Sequence, residues 1–367
     1  MNWRTHAAFN QPITRFLLLG LFAVGAFAIW AAFSEPASAQ AGGDVPPSES
    51  DFSLRPLATG LEQPMAMEVD AEGNIFVIGR CGRFYVWSPT TQTIQQTDAV
   101  DVRCDREFGL IGIALDPNFE SNRWAYLHYN PEGEDLQRVS RFVLNTNNQL
   151  EDSSEIVMLE FFVQSEQCCH QSGDLEFSPD GTLFISVGDN VNPGASDGFT
   201  PIDERPGRAP FDAQTTSGNT NDLRGKILRI QPNDDGTYSI PSGNLFQGDS
   251  LRRPEIFVMG ARNPFRITVD QETGELYWGE VGPDADASDP TRGPAGYDEI
   301  NRASTAGNYG WPYVSGFNEP YNDYDSRPER PGRASTSTGR PTSPRTTPAP
   351  QFCRLPNPRG SSTHTKQ

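Results

Sequence analysis

The sequence predicts an all-β fold, and within that class a β-propeller. Short apolar strands follow Gly-containing turns at intervals of about 45 to 65 residues, the signature of a repeated β unit. Beyond the N-terminal segment, no stretch carries a helical period of useful length. Long polar segments separate the strands, as functional loops on a rigid β framework do. A β-sandwich array is the alternative that the same pattern allows.

The first unit is Asp70-Ala71-Glu72-Gly73-Asn74 leading into Ile75-Phe76-Val77-Ile78. The second is Asp116-Pro117-Asn118-Phe119 ahead of Trp124-Ala125-Tyr126-Leu127-His128-Tyr129. The third runs Pro179-Asp180-Gly181 into Thr182-Leu183-Phe184-Ile185. Leu223-Arg224-Gly225-Lys226-Ile227-Leu228-Arg229-Ile230 follows, with its own turn at Asn233-Asp234-Asp235-Gly236. The last unit is Asp270-Gln271-Glu272-Thr273-Gly274 before Glu275-Leu276-Tyr277-Trp278. Asn/Asp supply the turn in each, with Gly in all but the second, and apolar residues supply the strand. The longest polar insertion, Asn190 to Asp222, reads as a functional loop or a disordered one.

The 367 residues suffice for one large β domain or two ordinary ones. A formal charge of −19 argues against nucleic-acid binding, which demands a basic face. Arg4 and Arg15 precede an apolar run from Phe16 to Phe33, and Ala37-Ser38-Ala39 offers a cleavage site before Gln40. This reads as an export signal, giving a periplasmic or secreted product with no stable membrane association once cleaved. An uncleaved anchor is the competing reading, since about 18 residues can just span a bilayer.

Export places the five cysteines in an oxidising compartment. Cys81 and Cys104 have the spacing to pair. Adjacent Cys168 and Cys169 form either a vicinal disulfide or two free thiols, and Cys353 is left over. From Ser326 onward the composition changes abruptly, with seven Arg, one Lys, eight Pro and a single acid. That segment cannot offset its ordering entropy and is expected to be disordered, as a shifted reading frame or a functional basic tail. The chain thus divides into a signal peptide (1–39), a flexible lead-in (40–52), a β domain (53–325) and a basic tail (326–367).

Chemistry concentrates in four segments. Cys168-Cys169-His170-Gln171-Ser172-Gly173 places one of four histidines just before a strand, where a neutral imidazole can act as general base. Gly260-Ala261-Arg262-Asn263-Pro264 offers a fixed guanidinium and an amide. Gly279-Glu280-Val281-Gly282-Pro283 precedes an acidic insertion, then Tyr297-Asp298-Glu299-Ile300-Asn301 and Gly307-Asn308-Tyr309-Gly310-Trp311-Pro312. Arg106-Glu107-Phe108-Gly109-Leu110-Ile111-Gly112 is the weakest of the four.

In this order the segments resemble the soluble glucose/sorbosone dehydrogenases that use pyrroloquinoline quinone (PQQ). The resemblance covers residues 55 to about 318 and implies a six-bladed propeller that oxidises an aldose or related sugar and passes electrons to an external acceptor. It gives His170 the role of base and sets Arg262 and Asn263 against the quinone oxygens. It puts calcium on the carbonyls of Gly282 and Pro283, and lets Glu107 line the pocket. Departures are Cys169, where the family can have aspartate, and Phe265, where it often has glutamine. Asp298 and Glu299 are either part of the metal region or a solvated strand edge.

The family continues beyond Asn-Tyr-Gly-Trp-Pro into further blades. This chain enters the Arg/Pro-rich tail instead, so the sequence predicts a propeller truncated before its last blades, poorly stable and inactive. Two other readings stand beside the dehydrogenase: a non-catalytic binding module, and a calcium-dependent lactonase-like propeller. No Walker loop, strand-anchored GxGxxG or CxxCH motif supports another cofactor.

Overall fold

The computed structural model describes residues 48–97, 100–322 and 324. The predicted signal peptide, most of the lead-in, the basic tail and Cys353 lie outside them. Two units are distinguished, ending and starting at Arg55 and Pro56. The described part of the first holds a 3-10 turn at Glu49–Asp51. No helix among the described residues is long and apolar enough to cross a membrane.

The second unit is all-β, in a propeller-like arrangement of four blades. Blade one contains β1 (Pro64–Val69), β2 (Ile75–Gly79), β3 (Arg83–Ser88) and β4 (Thr93–Gln96), each antiparallel to the next. Blade two contains β5 (Leu110–Leu115), β6 (Trp124–Tyr129), β7 (Leu136–Leu144) and β8 (Leu150–Phe162). Between β5 and β6 lies α1 (Phe119–Asn122), the only α-helix among the described residues. Blade three contains β9 (Leu175–Phe177), β10 (Leu183–Val187), β11 (Lys226–Pro232), β12 (Tyr238–Ser239) and β13 (Ile256–Met259). Blade four is β14 (Pro264–Val269), β15 (Leu276–Glu280) and β16 (Glu299–Ala303). The chain then returns to blade three, where β17 (Gly307–Asn308) pairs in parallel with β13. The last elements among the described residues are a small hairpin of β18 (Val314–Ser315) and β19 (Glu319–Pro320).

Four of the sequence units are the first hairpins of the four blades. Asp70 Oδ1 accepts the N–H groups of Glu72 and Asn74, and Gly73 takes φ 81°. Asp180 Oδ1 accepts Thr182 N–H beside Gly181 at φ 80°, and Asp270 repeats the device beside Gly274 at φ 73°. A positive φ at the turn is what selects glycine. The remaining unit, Leu223 to Gly236, does not start a blade. It supplies β11 and the turn to β12 within blade three. The Asn190–Asp222 insertion is ordered, with 3-10 turns at Pro193–Ala195, Ala209–Phe211 and Ala213–Thr215.

Period-two alternation packs the blades face to face. Leu183, Ile185, Leu228 and Ile230 face blade two, against Tyr126, Val139 and Leu159. Their neighbours Phe184 and Ile227 face blade four, against Ile267, Leu276 and Trp278. Phe76, Ile78 and Phe84 pack on Leu110, Ile113 and Phe119 in the same way. Each such side chain contributes roughly 1.5–3 kcal/mol by leaving water.

Both disulfides among the described residues are formed, Cys81–Cys104 and Cys168–Cys169. Cys81–Cys104 ties the β2–β3 turn to the segment entering blade two, across a sequence separation of 23. Closing a loop of that length is expected to contribute about 3 kcal/mol, mainly by restricting the unfolded chain. Denaturant titration of the Cys81→Ser/Cys104→Ser double variant checks this; an unchanged midpoint would show that blade packing alone holds the segment.

The first strands β1, β5, β9 and β14 are in contact in that order. Arg266 of β14 donates to the Met65 carbonyl of β1 at 2.6 Å. Glu68 and Glu176 lie on β1 and β9, beside Asp174. Burial, then repulsion from Glu176 and Asp174, pushes the Glu68 carboxyl up to about 8. Burial and Asp174 raise Glu176 to about 7. Between the unfolded value of 4.5 and these folded values, the native chain holds protons that the unfolded chain has released. Their stabilising contribution is complete below about pH 4.5 and is lost as pH rises through 7 to 8. The melting temperature is therefore expected to fall as buffer pH is raised from about 5 to 8.5, by about 2–4 °C per kcal/mol lost. Glu68→Gln, which cannot ionise, should flatten that slope; an unchanged slope would remove Glu68 as its source.

Candidate active site at one end of the sheets

The β9–β10 hairpin brings His170 to Asp189. Its register pairs Phe177 with Leu183 and Leu175 with Ile185, so the same register carried past the strands sets residue 171 against 189. His170 adopts φ 59° just before β9. Its Nδ1 lies 2.6 Å from Asp189 Oδ1, and both side chains are buried. Asp189 Oδ1 also accepts Val191 N–H at 2.9 Å, and its Oδ2 accepts Trp311 Nε1–H at 2.8 Å. A carboxylate held this way takes a proton donor at Nδ1. The neutral imidazole then presents Nε2 as an acceptor.

Arg262 and Asn263 sit between β13 and β14, tied to the same place by the Asp189 N–H, which donates to the Arg262 carbonyl at 2.8 Å. Both are buried. Arg262 Nη1 donates to the Val281 carbonyl at 2.8 Å, and its guanidinium lies 5.8 Å from the Trp311 ring centre. Its Nη2 is 3.8 Å from Asp284. Gly188 is the point of contact between His170 and Asn263. A Cβ there would stand 2.0 Å from the His170 carbonyl oxygen and 2.8 Å from Asn263 Oδ1.

Glu107 precedes β5, and its carboxylate accepts the Gln171 N–H at 3.2 Å, next to His170. Gly282 and Pro283 are buried just past β15. Gly282 N–H donates to Asp298 Oδ1 at 3.0 Å, and a Cβ on Gly296 would stand 1.6 Å from the Pro283 carbonyl oxygen. Among the described residues no cluster of three His, Cys, Asp or Glu side chains could hold a metal ion. The carbonyl oxygens of Gly282 and Pro283 are donors of the kind a hard cation takes. Asp298 is exposed and Glu299 half-buried, where it accepts Gly316 N–H at 2.6 Å.

Several buried polar atoms at this end have no hydrogen-bond partner among the described residues: Arg262 Nε, Asn263 Oδ1, Gln171 Oε1 and Ser172 Oγ. Buried polar atoms are nearly always paired, so a group of orphans on converging loops is a place for a polar ligand. Sequence reasoning gave no role to Asp189, Trp311 or Glu280. The hairpin turn at Pro179-Asp180-Gly181 was the available signal for Asp189, because it fixes which residue returns opposite His170. Glu280 and Trp311 lay in segments that stood out, but what they touch did not, since β17 joins blade three by a return that no local pattern encodes.

The glucose/sorbosone dehydrogenase family model matches residues 61–343, running past the boundary that composition draws at 325. Quinoprotein glucose dehydrogenase B of Acinetobacter calcoaceticus is 27% identical over 281 residues, 73% of this chain and 54% of that protein. Among solved structures, a Thermus thermophilus protein assigned as a glucose dehydrogenase is 28% identical, with a TM-score of 0.54 over 70% of this chain and 67% of that one. The PQQ-bound aldose sugar dehydrogenase of Streptomyces coelicolor shares the fold at 24% identity, with a TM-score of 0.55 over 72% and 66%. The chain spans 62% and 54% of the first two curated relatives it matches. With four blades, the His170 and Arg262 segments on one set of loops and a family match over most of its length, the chain belongs to the glucose/sorbosone dehydrogenase family.

Proposed function

We propose that this domain oxidises an aldose or a related sugar alcohol group, with PQQ as electron acceptor and His170 as base. The observation that carries the reading is the buried His170–Asp189 pair, set beside Arg262 and Asn263 across Gly188. The partnerless donors on Arg262 Nε and Ser172 Oγ suit the oxygens of a quinone, and the partnerless acceptors Asn263 Oδ1 and Gln171 Oε1 suit a ligand N–H or a sugar hydroxyl. When bound, PQQ supplies a two-electron sink for the hydride of the alcohol carbon.

The chain's own residues do the rest. His170 Nε2 takes the hydroxyl proton, and Asp189 stabilises the resulting imidazolium and keeps its ring in place. Arg262 offers fixed positive charge where negative charge develops, in a site closed to water and so of low dielectric. Asn263 holds the quinone beside it, Glu107 lines the approach to His170, and the carbonyls of Gly282 and Pro283 hold calcium. A six-bladed ring, to which these four sheets contribute, would cover Met67 and Val69 on β1, exposed at 65% and 55%. Two disulfides support an oxidising, periplasmic or secreted location.

The test is a dye-linked oxidation assay on purified protein, scanning aldoses with added PQQ and calcium. Turnover that needs both additions supports the proposal. Quinone binding without turnover would favour a binding module, and hydrolysis of sugar lactones without quinone would favour a lactonase.

A further inference from the structure

The segment 261–263 leaves blade three and enters blade four without strand partners. Its N–H groups are buried and must find acceptors elsewhere. Those of Arg262 and Asn263 both reach one atom, Glu280 Oε1, at 2.8 and 2.5 Å. Glu280 is the last residue of β15, in register with Pro264, where β14 bulges before Arg266. Its side chain thus takes over as acceptor where the ladder is interrupted. The other oxygen accepts Trp278 Nε1–H at 3.2 Å, which fixes the carboxyl plane. The next residue closes the arrangement, because Val281 N–H donates to the Asn263 carbonyl at 3.2 Å and Arg262 Nη1 returns to the Val281 carbonyl.

We infer that Glu280 is a positioning residue: it sets the backbone from which Arg262 and Asn263 present their partnerless polar atoms to the bound group. This rests on the quinone reading above. The carboxyl makes three hydrogen bonds, two of them to the backbone of the residues proposed to face the quinone. A side chain that served only to fill space at the end of β15 would need none of them. With the backbone held this way, neither Arg262 Nε–H nor the acceptor Asn263 Oδ1 is taken up by another group among the described residues.

The experiment is a PQQ titration of the purified full chain with calcium, followed by absorbance, alongside circular dichroism and melting curves. Glu280→Ala leaves two buried N–H groups without an acceptor and is expected to weaken PQQ binding by about 10-fold for each bond lost. Glu280→Gln keeps an oxygen for both N–H groups but turns its amide toward Trp278 Nε1–H, so it should recover most of that affinity at a lowered melting temperature. Should the alanine variant not fold, Glu280→Asp carries the test, since a side chain one methylene shorter cannot reach both N–H groups. Wild-type PQQ affinity in a folded Ala or Asp variant overturns the assignment. A wild-type chain that binds no PQQ overturns the quinone reading, and this inference with it.

Discussion

Turnover of the PQQ- and calcium-loaded protein is expected to fall by about 10²–10⁴-fold in His170→Ala, the usual contribution of a positioned general base. PQQ affinity should stay near wild type, because the proposed quinone contacts lie on Arg262 and Asn263. Asp189→Asn sharpens the test. The asparagine amide can donate to Nδ1, which moves the imidazole proton to Nε2 and removes the lone pair that would accept the sugar proton. A carboxylate-to-amide change of this kind costs a catalytic histidine about 10⁴-fold. The asparagine would still occupy the volume, though its amide can accept at only one atom what Asp189 accepts at two. Steady-state kinetics on both variants, with folding checked by circular dichroism, decide the matter. Wild-type turnover in either one removes His170 as the base.

How much of this was legible beforehand depends on the distance over which each feature is encoded. The first hairpins of the blades were readable because Asp-led turns, three of the four with Gly, and apolar strand residues act within ten residues. His170, Arg262 and Asn263 stood out because their motifs are contiguous. Their convergence was not readable, since it depends on the Asp189 N–H reaching the Arg262 carbonyl between loops of successive blades. Pairing over longer distances was not legible. The Leu223 unit reads as a structural strand, but its place inside blade three comes from its pairing with β10. Asp298, exposed, and Glu299, half-buried, take the Gly282 and Gly316 N–H groups, contacts that no local pattern encodes. Local pattern sets the strands; pairing across blades decides which acids and tryptophans become part of the site.

A single methyl group at Gly188 should test that convergence without replacing any of the residues proposed to act in the site. The new Cβ would lie 2.0 Å from the His170 carbonyl oxygen, 2.6 Å from its carbon and 2.8 Å from Asn263 Oδ1. Two of those atoms are backbone, so no rotamer change relieves the clash. The backbone at Gly188 is also held on both sides, by Gly225 N–H donating to its carbonyl and by Asp189 N–H on Arg262. Either His170 moves away from Asp189 or Asn263 moves from its place beside it. Gly188→Ala is therefore expected to lose about 1–3 kcal/mol of stability through overpacking. Its turnover should approach that of His170→Ala, because the 2.6 Å contact at Nδ1 does not survive a backbone shift. Gly279→Ala is the matched control: it lies one residue before Glu280, and a Cβ there meets nothing within 4 Å. Equal melting temperatures and equal turnover for the two alanine variants would show that the loops carrying His170 and Asn263 are not pressed together as described. A loss confined to Gly188→Ala would tie the activity to the place where those loops meet.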